Sequence, residues 1–512
     1  MLMLLSLLAA CGPSASTSGG GNNAQPKAGG SLVDIFDEEP DSLLPWYTSE
    51  TFGVMAQQEL WAGLWNTDQN VNVTLDGGIA KELPSTTNGD VSSDLKTFTI
   101  KLKPNLKWSD GSAETAQDCV DSYTFLSNPK AANLGGFPTT DPTDPFGFVS
   151  ATVVDTTTFK LQFRNAFGPF LSIFGNGTST CLPSSFIKTL ATPDAIGKSN
   201  WNFQPQVTNG PFTIKERVSG SHVTVVKNPN YFDAPKPYLN QITDQIITDS
   251  NTILQAFQSN SADTGWFLDP TKLNDFKAVS GYTSYVDGGA GFEWLVYNMK
   301  DPILKDKVVR QALQESIDPP NEIYNTIYKG TVKQTCDDAA GTFAHEPNLV
   351  PCYKFDPTDA GSKLDADGWT MGSDGYRHKG GQTLELEYAT TAKKAREDTQ
   401  AIFIQDWKKV GIKVDQKNYA NTQDWFGTGA LCQGKFQIGE YANQNTDPDD
   451  HVVFESTQTC ANGGQNYNSY NNATVDQQEA VQLGTLDPTA RKAAFHIIHQ
   501  QILQDDPCTF LF

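Results

Sequence analysis

Long apolar runs are missing from this chain of 512 residues. Its most apolar stretch, Met1 to Ala10, falls well short of the ~20 residues that a membrane-spanning helix needs. Nothing later approaches one, so the body reads as a globular protein outside the bilayer. Positive charge is scarce as well: 37 Lys and Arg face 59 Asp and Glu, a formal net charge of −22. That balance argues against nucleic acid as a partner, because affinity there comes mainly from cations that neutralise phosphates. None of the eight cysteines falls in a C-x-x-C or a Cys/His spacing of the zinc type. Neither G-x-S-x-G nor H-E-x-x-H occurs, which removes the nucleophile elbow and the zinc-protease helix. Tandem repeats are absent. At this length two or more lobes are expected.

Three near-misses resolve the same way. "GALCQGKF" (429–436) has the G-x-x-x-x-G-K spacing of a phosphate loop but lacks the Ser/Thr that would hold magnesium, and no strong apolar strand precedes it. "DADGWTMGSDG" (365–375) lacks the alternate oxygen ligands and terminal Glu of a calcium loop in register, so it reads as a turn and hairpin. His496 and His499 share a helix face without a third ligand in sight and read as surface histidines. The sequence thus names no catalytic residue, no metal set and no cofactor.

The N-terminus says more. Leu8-Ala9-Ala10-Cys11 ends the apolar run, and "GPSASTSGGGNNAQPKAGG" follows with almost no apolar side chains. Such a tail cannot offset its own ordering entropy. Leu8–Cys11 resembles the lipobox of bacterial lipoproteins, which implies cleavage after a signal peptide (1–10), a lipid on Cys11 and a disordered tether (11–30). The Lys/Arg-rich segment that usually opens such a signal is missing.

The body mixes strands and helices. In "KTFTIKLKPNLKW", Phe98, Ile100 and Leu102 alternate with Thr97, Thr99 and Lys101, the pattern of a half-buried strand. "GPFTIKERVSGSHVTVVKNPNYF" reads as two strands turning at Ser219-Gly220. "DKVVRQALQESID" is a helix with Asp306 at its N-cap and Val309, Ala312, Leu313 and Ser316 on one face. "TLELEYAT" is a strand; the helix after it carries Ala395, Thr399, Phe403, Trp407 and Val410 on one stripe and stops at Gly411, and "IKVDQ" resumes as a strand. Strand–helix–strand over this length predicts a parallel βαβ unit. An exported chain sits where disulfides persist. Cys336 pairs naturally with Cys352 and Cys432 with Cys460, each closing one turn-rich segment; Cys119 with Cys181 is the next pair, and Cys508 is left over. Sequence does not fix that connectivity.

Several blocks, in order, resemble the extracellular solute-binding proteins of family 5. They are "LKTFTIKLKPNLKWSDGSAETAQDCVDSYTFL", "NGPFTIKERVSGSHVTVVKNPNYFDAPKPYLNQI", "DKVVRQALQESID", "LDADGWTMGSDGYRHKGGQTLELEYAT", "KKVGIKV", and "DPDDHVVFES" with "NYNSYNNATVD". The resemblance covers nearly all of residues 31–512. It implies an α/β, two-lobed, periplasmic-binding-protein-like (Venus flytrap, type II) fold: lobe I over 31–288 with an inserted subdomain at about 65–200, lobe II over 289–495, and a return to lobe I over 496–512 that stops short of the family's usual end.

By the same resemblance the chain is a non-enzymatic, monomeric, lipid-anchored binding component of an ABC importer. It would hold peptides or oligopeptides between its lobes at the outer face of the bacterial membrane and pass them to permease and ATPase subunits. An oligosaccharide or other neutral polar solute is the alternative; an enzyme on an α/β scaffold stands behind both. The implied ligand-binding residues are Ser49, Glu50, Thr51 and Phe52 from lobe I, Trp266, Trp425 as a flat aromatic wall, Tyr441, and Gln444, Asn445 and Asp447. The family carries an aspartate for a peptide's α-ammonium where this chain has Gln444, which implies a ligand not anchored by its N-terminal charge.

Overall fold

A computed structural model describes residues 26–512 except 49, 69–71, 134–135, 176–178, 267, 287–290, 427–428, 445–446 and 463, and gives the backbone alone at 422, 423 and 444. The leader 1–10, Cys11 with most of its tether, Ser49 and Asn445 lie outside the described residues, as does the side chain of Gln444. No described helix is long and apolar enough to cross a membrane.

Two five-stranded sheets organise the chain. In the first, Ser31–Phe36 lies between Thr264–Gly265 and Gln241–Ile246, parallel to both; His222–Lys227 and Phe212–Val218 follow in antiparallel order. The last two form the predicted hairpin, and Gly220 at its turn has φ +71°, a left-handed conformation that glycine adopts without strain. Between 36 and 212 the chain builds a separate antiparallel sheet of Thr97–Lys101, Thr158–Phe163 and Phe148–Asp155. Phe98 and Ile100, on the predicted inner face, are buried, and Phe98 stacks on Phe170 at 3.8 Å. Helix Ala116–Leu126 covers this sheet and is tied down by the Cys119–Cys181 disulfide.

The second sheet runs Lys413–Tyr419, Glu385–Thr391, Ile438–Gln444, Gly291–Tyr297, Cys508–Phe510. Its first two strands are parallel and joined by helix Lys394–Lys409, the βαβ unit that the periodicity predicts. Thr399, Phe403 and Trp407 of the predicted stripe are fully buried, and the Trp407 indole donates to the Leu313 carbonyl at 2.9 Å. Leu313 belongs to helix Lys307–Glu315, whose N-cap Asp306 accepts from the Val308 amide at 3.0 Å. Helices Ala473–Leu483 and Pro488–Asp505 bury the other face through Val475, Phe495, Ile498 and Ile502. Thr370–Met371 pairs with Arg377–Lys379, the small hairpin read from 365–375.

Disulfides join Cys119–Cys181, Cys336–Cys352 and Cys432–Cys460, and Cys508 is a buried free thiol. One expectation is corrected here. Residues 496–512 do not return to the first lobe: Cys508–Phe510 pairs antiparallel with Gly291–Tyr297 at the edge of the second sheet. Phe510 stacks on Trp294, and Gln314 donates to the Cys508 carbonyl at 2.8 Å. The edge of a sheet already buried on both faces is the nearest place to satisfy this apolar strand's backbone.

Candidate ligand site between the lobes

The two sheets meet where strands end. Ser31–Phe36 is followed by Asp37 and Glu38; Glu385–Thr391 is followed by Lys393, at the N-cap of helix Lys394–Lys409. The Lys393 ammonium reaches across to Asp37 at 3.0 Å and Glu38 at 2.6 Å. Burial works to lower the Lys393 pKa, but the Glu38 and Asp37 carboxylates outweigh it and hold the group above its ordinary value. Behind it Arg396 makes a two-pronged bond to Glu293, at 2.8 and 3.0 Å, which fixes the start of the helix against the strand Gly291–Tyr297. Further contacts join the inserted part of the first lobe to the second. Ser172 donates to Asp447 at 2.6 Å, the Gly168 amide donates to the Leu483 carbonyl at 2.7 Å, and the Phe146 ring meets the His451 ring edge-on at 5.8 Å.

The first lobe's side is acidic. Glu50 caps helix Thr51–Leu60, its two oxygens accepting from the Phe52 and Gly53 amides at 2.7 Å each. Burial, helped by the Glu38 and Asp41 charges, pushes Glu50 up to about 8 in spite of those bonds. Asp34 lies opposite Asp244 across the parallel pair of strands, and Glu59 approaches both from helix Thr51–Leu60. Burial raises Asp34 to about 6 and Asp244 to about 7. Such carboxyls hold their protons to higher pH than exposed ones, and a cation or donor beside them favours the ionised form. Trp266 supplies one donor: its indole N–H reaches Asp34 at 3.1 Å while 52% of its surface stays exposed. Of the tryptophans implied by the resemblance, Trp266 is the one with an open face.

Trp425 is not. It is fully buried, stacked on Tyr419 at 5.2 Å and edged by Phe436 at 5.9 Å. It lies so close to the strand Ile438–Gln444 that a Cβ at Gly439 would come within 3.2 Å of its ring. In this structure the ring expected as a flat wall packs as a core contact. Tyr441 goes the same way, buried among Trp294, Phe426 and Tyr467. Phe52 packs on Phe36 at 4.9 Å, and Thr51 begins the helix beside it. The Asp447 carboxylate is bound by both terminal nitrogens of Arg491 as well as by Ser172. Gln444 closes the strand opposite Gly291. His499, read as a surface residue, is 1% exposed and lies between Asp338 and Glu346 in the second lobe. Lys393, Asp37, Glu38 and Asp34 escaped the sequence reading. The signal was faint: two acids directly after one strand, and a lysine two residues after another.

The model of the bacterial extracellular solute-binding proteins, family 5, matches residues 74–465. The chain belongs to that family. It is a substrate-binding family, not an enzymatic one. The chain is 25% identical over its whole length to the oligopeptide-binding protein AppA of Bacillus subtilis, covering 92% of that protein. It is 26% identical over 79% of its length to OppA of Lactococcus lactis subsp. cremoris, covering 72% of it. Among solved structures, AppA of B. subtilis in complex with a nonapeptide superposes with a TM-score of 0.84 at 22% identity, over 95% of this chain and 93% of that one. NikZ of Campylobacter jejuni in complex with Ni(L-His) gives 0.80 at 21% identity, over 94% and 92%. The fold of this family 5 chain is accordingly that of the type II periplasmic binding proteins.

Proposed function

We propose that this chain captures oligopeptides between its lobes and delivers them to an ABC permease, held at the outer face of the membrane by a lipid on Cys11. The observation that carries the reading is full-length similarity to a curated oligopeptide-binding protein, joined to a two-lobed architecture whose strand ends meet at Lys393. A site completed only when both lobes touch the ligand selects it by closure. Trp266 and the acids Asp34, Glu38 and Glu50 would line the first lobe's half, with Lys393 reaching in from the second. Trp425, a flat ring on which a sugar could stack, is buried in this structure, which favours the peptide over the oligosaccharide alternative. Gln444 has no charge to offer an α-ammonium, so the peptide would be held by its backbone.

The test is calorimetry of the purified protein against peptide pools, then against any hit with its N-terminus free and acetylated. Tight binding that acetylation leaves within a few-fold supports backbone capture. A loss of two decades on acetylation places the anchor on one of the first lobe's carboxylates. No peptide binding, alongside binding of a nickel–histidine complex, sinks the peptide reading.

A further inference from the structure

The second lobe gathers charge away from the strand ends. The loop closed by Cys336–Cys352 brings Asp338, the segment after strand Ile438–Gln444 brings Asp449 and Asp450, and the last two helices bring Glu479 and His499. One oxygen from each of Asp449, Asp450 and Glu479 lies within 4.8 Å of the other two. Asp450 and Glu479 are fully buried and face each other, and neither oxygen of Asp450 nor Oε1 of Glu479 accepts from an N–H or hydroxyl group. Buried carboxylates without donors are costly, and more so side by side.

The neighbouring cations are already committed. His499 faces Asp338 at 3.3 Å through Nε2 and Glu346 at 3.2 Å through Nδ1. His451 is taken by Asp449 at 2.8 Å, and Arg491 by Asp447. If ionised, Asp338, Asp449, Asp450 and Glu479 would carry two negative charges more than the two imidazoles, both counted as cations, can balance. One divalent cation would balance them.

We propose that Asp449, Asp450 and Glu479 form a calcium site. All three offer oxygen, which selects a hard cation, and Asp450 has two oxygens free to bind bidentately. Ca²⁺ accepts about six to eight oxygens in flexible geometry, bidentate carboxylates among them, whereas Mg²⁺ demands near-ideal octahedral geometry and keeps several waters. Asp449, with its side chain 9% exposed, is the least enclosed of the three. Its amide donates to Asp447 at 3.0 Å, so calcium here steadies the segment that touches Ser172 of the first lobe.

The experiment compares chelator-treated full-length mature protein with and without millimolar CaCl₂, by thermal unfolding and by calorimetry, for wild type, Asp450→Asn and Glu479→Gln. Expected are a rise of a few degrees in Tm and one saturable site in wild type, a smaller response to MgCl₂, and loss of the calcium response in both variants. No heat and no Tm shift in wild type overturns the site, as does a response that survives both substitutions. A calcium-insensitive wild type that Asp450→Asn makes more stable shows that a shared proton, not a cation, holds the carboxyls, and likewise overturns it. Peptide affinity is read separately, so failure here leaves the proposed function standing.

Discussion

Lys393 links the lobes, and removing its charge is the sharpest perturbation of closure. Lys393→Met keeps the length of the side chain and deletes two ion pairs, to Asp37 at 3.0 Å and Glu38 at 2.6 Å. The lysine side chain is 37% exposed and its partners 18% and 23%, so each pair is discounted toward the range of surface pairs, ~0.2–1 kcal/mol. Together they contribute about 1 kcal/mol to the closed form and nothing once the lobes part. Ligand binding draws on closure, so that loss weakens Kd about fivefold. Calorimetry with a peptide ligand in low salt reads the effect, and raising the salt should narrow the gap between variant and wild type. Asp37→Asn combined with Lys393→Met should cost less than the sum of the two single changes. An unchanged Kd in Lys393→Met at low salt would refute the assignment of Lys393 as a closing contact.

Three further outcomes are expected. Trp425→Ala should destabilise the protein by ~3–5 kcal/mol in chemical denaturation, because the ring fills the core; a variant of wild-type stability with lost ligand binding would restore its role as a ligand wall. Replacing Cys336 and Cys352 by Ser opens a loop with a sequence separation of 16 and should cost about 3 kcal/mol in the chain-entropy model; unfolding midpoints equal to wild type would contradict it. Asp244 is raised in the folded state to about 7, so its contribution is fully present below its unfolded pKa and lost as pH rises through 7. Stability measured from pH 4 to 8 should therefore fall more steeply in wild type than in Asp244→Asn, by a few kcal/mol over the range; parallel profiles would mean that the carboxyl is not strained by burial.

Local chemistry was legible in the sequence, and long-range company was not. The alternation around Phe98 and the stripe through Phe403 and Trp407 follow from backbone periodicity and survive in the fold. Cys336–Cys352 and Cys432–Cys460 were legible because each closes one turn-rich segment; Cys119–Cys181, which spans a helix and strands, was only the next pair left. The burial of Trp425 and Tyr441 was not legible, because an aromatic in a polar stretch looks exposed until the chain folds back over its sheet. Lys393 was missed because its partner Asp37 lies 356 residues away, and His499 because its acids come from a disulfide loop and not from its own helix. The C-terminal strand was misplaced because a short apolar tail carries no sign of which sheet edge will take it.

The most direct measurement is a crystal structure of the protein with a bound peptide. Expected is an extended chain enclosed between the strand ends, against the open face of Trp266 and within reach of Lys393, with Trp425 still buried in its own lobe. A peptide bound elsewhere, or held by lobes that do not close on it, would rule out capture by closure at the strand ends.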